Sequence, residues 1–107
     1  MGKLLYGMSG IEIGFDDRVL AHLQVAIGAK LRRGEGFYFS WKDDPNVGDG
    51  RSTIWLSNSI PLYFKYSGGK MPTLNREWIE ALVASSNSGQ GLLLSEEHRP
   101  SGESSGG

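Results

Sequence analysis

Three runs in the middle of the chain alternate apolar and polar positions with a period of two. In residues 37–42, Phe37, Phe39 and Trp41 face one way and Tyr38, Ser40 and Lys42 the other. In residues 52–56, Ile54 and Leu56 oppose Thr53 and Trp55, and in residues 62–66, Leu62, Phe64 and Tyr66 oppose Tyr63 and Lys65. Aromatic and β-branched residues suit a pleated, half-buried surface, so each run is expected to be a strand. The connections, DDPNVGDG and Asn58-Ser59-Ile60-Pro61, are short and rich in turn formers. Short polar connections favour antiparallel neighbours, so the expectation is a three-stranded meander. Residues 3–6 and 11–15 read as two further strands around Gly7-Met8-Ser9-Gly10, an N-terminal hairpin.

Two stretches change to a period of three and four. Val19, Leu20, Leu23, Ala26, Ile27 and Leu31 make one apolar stripe over residues 17–33. Asp16 is the expected N-cap, Asp17 favours the positive end of the dipole, and Phe15 and Leu20 have staple spacing. Lys30, Arg32 and Arg33 lie in the last turn and Gly34 ends it. The second helix starts after Asn75, with Trp78, Ile79, Leu82 and Val83 on its apolar face. Residues 92–94 read as a last short strand. Residues 95–107, SEEHRPSGESSGG, hold no apolar anchor and are expected to be a disordered polar tail. The expected architecture is therefore α+β: one domain over residues 1–94, with an antiparallel sheet of hairpin plus meander covered by two amphipathic helices. No internal repeat is evident.

Composition narrows the function more than it names it. The chain has 107 residues and no cysteine, which excludes disulfides and Cys-containing zinc sites. No apolar run approaches the roughly 20 residues that span a bilayer, and MGKLLYGMSG is not a secretory signal. Position 6 is Tyr6, so the myristoylation pattern also fails. No membrane partner and a cytoplasmic location are expected. The net charge of −1 provides no global attraction for a polyanion.

Candidate chemistry is sparse. Asp43, Asp44, Asn46 and Asp49 are oxygen ligands without calcium-loop spacing, since an EF-hand needs a glutamate where Ile54 stands. Gly48-Asp49-Gly50-Arg51 and Gly68-Gly69-Lys70 lack phosphate-loop spacing. His22 flanks the apolar stripe and His98 is in the tail, so no catalytic constellation assembles; neither a metal nor another cofactor is expected. A basic set remains: Lys30, Arg32, Arg33, Lys42 and Arg51, with Lys65. Trp55, Trp41, Tyr63 and Tyr66 offer stacking surfaces. Cations with stacking aromatics are what single-strand binders combine, although the Lys/Arg-Gly-Phe/Tyr core of an RRM is missing.

MGKLLYG, DDRVLAHLQVAIGAKLRRGEGFYFSWKDD, GDGRSTIWL, IPLYFKY and LNREWIEALVASSNSGQGL, in that order, resemble a small uncharacterised family of actinobacterial proteins of about this length. Its members often carry the automatic label ATP-dependent DNA ligase. The resemblance implies nucleotidyl transfer as one function, for which the motif is Lys-x-Asp-Gly with a nucleophilic lysine. The nearest stretch, Lys42-Asp43-Asp44-Pro45, ends in proline where the glycine is required. The residues themselves point to a small non-catalytic binding or interaction module. Its expected partners are another protein, a second copy joined at a sheet edge, or DNA held by Lys30, Arg32, Arg33, Lys42, Arg51 and Trp55.

Overall fold

The computed structural model describes residues 1–43, 46, 48 and 50–98. The elements are β1 (Gly2–Tyr6), β2 (Ile11–Phe15), α1 (Asp17–Arg32), β3 (Phe37–Lys42), β4 (Arg51–Leu56), β5 (Leu62–Lys65), α2 (Arg76–Ser85) and β6 (Leu92–Leu93). The α+β class, the hairpin and both helices stand where the periodicity places them. The connectivity differs from a single sheet with a meander. There are two three-stranded sheets among the described residues, ordered β2-β1-β5 and β4-β3-β6.

The expected meander stops after β4. β5 leaves it and pairs antiparallel with β1, Leu4 opposite Phe64. The loop before β5 is tied at both ends. Asn58 Nδ2 donates to the Leu31 carbonyl at 2.9 Å, and Gly7 N–H donates to the Pro61 carbonyl at 2.9 Å. Those bonds carry the chain across the end of α1 to the first hairpin. β6 joins β3 in parallel, Phe39 opposite Leu92. Gly91 allows that approach: its φ is +85°, and a Cβ there would strike the Tyr38 carbonyl oxygen.

The core lies between the inner sheet faces and the helices. Leu4, Leu20, Leu23, Phe39, Leu56, Leu82 and Leu92 are fully buried, each side chain contributing roughly 1.5–3 kcal/mol. Phe15 of one sheet meets Phe39 and Trp41 of the other, with ring centroids 6.1 and 5.9 Å apart. α1 packs on α2 and β1, and α2 packs on β6.

Two caps behave differently. Asn75 caps α2 as expected, its Oδ1 accepting from Trp78 N–H at 3.2 Å. Asp16 occupies the N-cap of α1, but its carboxylate makes no capping bond. The neighbouring Asp17 reaches instead to the loop after β5, accepting from Gly68 N–H at 2.8 Å and Ser67 N–H at 3.1 Å. Those two donors hold the Asp17 carboxyl below its ordinary range.

Candidate functional site

β3 and β4 pair antiparallel, and Asp43 N–H donates to the Gly50 carbonyl just beyond them at 2.9 Å. Counting back by twos makes Tyr38–Trp55, Ser40–Thr53 and Lys42–Arg51 the non-hydrogen-bonded pairs, whose side chains stand closest. All six project from the outer face of the β4-β3-β6 sheet, the face away from the helices. The three rows differ in chemistry.

At one end the Tyr38 and Trp55 rings meet edge to face, with centroids 5.1 Å apart. They are 50% and 43% exposed. Trp55 is held from below by Gly36, where a Cβ would come within 2.6 Å of its Cζ2. In the middle the Ser40 and Thr53 hydroxyls are hydrogen-bonded at 2.8 Å. At the other end Lys42 and Arg51 face each other, both exposed. Neither makes an ion pair with a described residue. Beside these rows is an open concavity of about 550 Å³, lined by Tyr38, Ser40, Arg51, Thr53, Gly89, Gln90 and Leu93. No acid lines it.

The expected basic set is thus divided. Lys42 and Arg51 come together as register partners, with Trp55 on the same face. Lys30 is 3% exposed; its ammonium bonds Glu35 Oε1 at 2.6 Å and Asn87 Oδ1 at 2.9 Å. The Lys30 bond is also the main reason the Glu35 carboxyl sits below its ordinary range. Arg33 pairs with Glu35 at 3.2 Å. Arg32 is exposed at the C-terminal end of α1, whose connection leads into the Phe37 end of β3. Lys42 lies at the far end of that strand. Among the stacking candidates, Trp41 is packed on Phe15 and Phe39, and the Tyr66 hydroxyl donates to Gln24 at 2.7 Å. Tyr63 is exposed, but on the other sheet. Tyr38 is the residue the sequence reasoning missed. Its alternation with Ser40 and Lys42 was the signal.

The remaining chemistry is committed elsewhere. His22 is fully buried. Its Nδ1–H donates to the Arg18 carbonyl and its Nε2 accepts from Asn75 N–H, both at 2.7 Å. Carbonyl and amide leave only that tautomer. The ring lies 4.6 Å from Trp78. Ser95 to His98, placed by sequence in the polar tail, close this network. Trp78 Nε1–H donates to the Ser95 carbonyl at 3.1 Å, and Asn75 Nδ2 donates to Glu97 Oε2 at 2.9 Å and to the His98 carbonyl at 2.8 Å. Arg18 grips Glu97 with two bonds, 2.7 and 2.6 Å long. The Arg18 guanidinium, helped by Asn75, pulls the Glu97 carboxyl down to about 2.

The amides of Ser67 and Gly68, in the loop read as a phosphate-loop candidate, are occupied by Asp17. Asp44 and Asp49 of the oxygen-rich loop, and residues 99–107 of the expected tail, lie outside the described residues. Among the described residues no three His, Cys, Asp or Glu are grouped to hold a metal, and no helix is long and apolar enough to cross a membrane. No curated protein and no solved structure matches the chain. Residues 1–97 match the family described as Domain of unknown function (DUF7882), and the chain belongs to that family.

Proposed function

We propose that the chain is a non-catalytic binding module that holds single-stranded nucleic acid across the outer face of the β4-β3-β6 sheet. The Lys42–Arg51 pair carries this reading. Like charges directly opposite in a sheet destabilise it. Here they occupy a non-hydrogen-bonded pair, the closest kind, with no described acid bridging them. An anion bound between them turns that repulsion into attraction.

The rest of the face suits a polyanion with bases. Four residues along β3 separate Tyr38 from Lys42, about 13 Å at the usual strand rise. A strand whose phosphate rests on Lys42 and Arg51 can place bases on Trp55 and Tyr38. The Ser40–Thr53 hydroxyls lie between, where sugar and base edges pass. Stacking on an exposed aromatic is tolerant of sequence, which suits a site with few directional donors. A strand-holding module of this size suits an accessory role in DNA metabolism. The burial of His22 and the proline after Lys42-Asp43-Asp44 favour binding over nucleotidyl transfer.

Fluorescence anisotropy with a labelled single-stranded oligonucleotide and its duplex tests the proposal. Two neutralised phosphates give a salt slope of about −1.4 for a single strand, or about sevenfold weaker binding between about 50 and 200 mM salt. Single-strand preference with that slope is expected. Equal binding of duplex, or none at low salt, overturns it.

A further inference from the structure

The concavity beside the outer face is built across all three strands of its sheet. Thr53 of β4 stands opposite Ser40 of β3, and Ser40 is in register with Leu93 of β6. That row crosses the middle of the concavity. Arg51, two residues along β4 from Thr53, marks one end. The other end holds Tyr38 and the turn before β6, with Gly89 and Gln90. β6 runs parallel to β3, so the residues that precede Leu92 pass the Tyr38 end of β3.

That turn is held from within. The Ser88 hydroxyl donates to the Ser85 carbonyl at 2.9 Å and accepts from Gln90 N–H at 3.3 Å. Gly91 N–H donates to the Ser88 carbonyl at 3.1 Å, and Gly91 lies against the Tyr38 backbone. The Gln90 backbone is thus fixed at the rim, while its carboxamide is exposed and bonds no described residue. Arg51 offers donors only, and the Ser40 and Thr53 hydroxyls bond each other. Among the described lining residues, Gln90 alone has a side chain that presents a donor and an acceptor side by side in one plane.

We infer that Gln90 reads one base of the bound strand and that this base is adenine. The inference rests on the strand-holding role proposed above, and it adds one position of preference to a face that otherwise tolerates any sequence. A nucleotide with its phosphate at Arg51 and its base on Tyr38 crosses the Thr53–Ser40–Leu93 row and brings its base edge to Gln90. A purine covers more of the Tyr38 ring than a pyrimidine does. Unstacked bases of single strands expose both edges to side chains. Adenine presents a donor beside an acceptor, the match for a carboxamide, on both of them: N6 with N7, and N6 with N1. Guanine presents two acceptors, O6 and N7, on the first, where the Gln90 carbonyl oxygen would face another acceptor.

The test uses the whole chain and fluorescent all-thymine oligonucleotides that carry one central adenine, guanine, cytosine or unsubstituted purine. The adenine strand should bind about fivefold or more tighter than the all-thymine strand, since a good bidentate pair is worth at least that factor. The guanine strand, with equal stacking area, should gain less. Unsubstituted purine stacks but lacks the N6 amine, and should lose most of the gain. Gln90→Ala, at an exposed position, should remove the preference for adenine over guanine. Gln90→Glu keeps the shape but not the donor, and should favour the cytosine strand over the adenine strand, because a carboxylate accepts from cytosine N4. Equal binding of the adenine and guanine strands by the wild type, or an adenine preference that persists in Gln90→Ala, would overturn this inference and leave the strand-holding role standing. Failure of every strand to bind at low salt would overturn both.

Discussion

The two ends of β3 and the two helix N-termini use the same residue types for opposite purposes. Around Asn75, an arginine, a histidine, a tryptophan and a glutamate are knitted together: Arg18 to Glu97, Glu97 to Asn75, Asn75 to His22, and His22 against Trp78. Among described residues no buried side-chain polar atom lacks a partner. On the outer sheet face, an arginine, a lysine, a tyrosine and a tryptophan stand exposed, and the two cations stand opposed. Buried polar groups must be paired because leaving one unmade costs about 1–3 kcal/mol. Exposed groups are under no such constraint, and their arrangement is free to serve a ligand. Residue type alone does not separate a structural site from a binding surface; partnership does.

Substitutions can break that comparison, and the largest effects should fall on the knitted side. Trp78→Ala should cost about 3–5 kcal/mol through lost packing, read as a lower urea midpoint. Trp55→Ala should cost under about 1 kcal/mol of stability but weaken single-strand binding about tenfold, since stacking is worth about 1–3 kcal/mol per base. His22→Ala leaves the Asn75 N–H unpaired in the interior and should cost about 3 kcal/mol by the same measurement.

Gly91→Ala comes next, at about 2 kcal/mol, because a side chain is strained at φ +85° and meets Tyr38. Thermal melting checks it. Glu97→Gln should cost about 1 kcal/mol at neutral pH, kept small by the exposure of Arg18. Its pH signature sharpens the comparison. The folded Glu97 carboxyl titrates at about 2, below its ordinary 4.5. Its stabilisation is therefore fully present above about 4.5 and is lost as pH falls toward 2. The Gln variant should differ from wild type above pH 4.5 and converge with it near pH 2 in acid-unfolding curves. Arg32→Ala should be the smallest, within about 0.5 kcal/mol.

The local elements were legible because they are written in local patterns. α1 ends one residue from its expected boundary, and Asn75 caps α2 as its position suggests. The partner of β5 was not legible. Leu62 and Phe64 mark an apolar face, but nothing in them says whether β4 or β1 lies beside it; the choice depends on Asn58 and Pro61 bonding residues far away in sequence. The parallel entry of β6 likewise rests on Gly91 fitting under Tyr38. In the candidate site, period two placed Tyr38, Ser40 and Lys42 together, yet Lys30 looked the equal of Lys42. Only its burial between Glu35 and Asn87 separates them.

The central claim is that Arg51 and Trp55, and not Arg32 and Arg33, meet the ligand. The direct measurement titrates one labelled single-stranded oligonucleotide with wild type, with Arg51→Ala/Trp55→Ala and with Arg32→Ala/Arg33→Ala, each at several salt concentrations. The first double variant should lose most of the affinity and about half the salt slope, while the second matches wild type. The reverse pattern would contradict the account and move the contact surface to the end of α1.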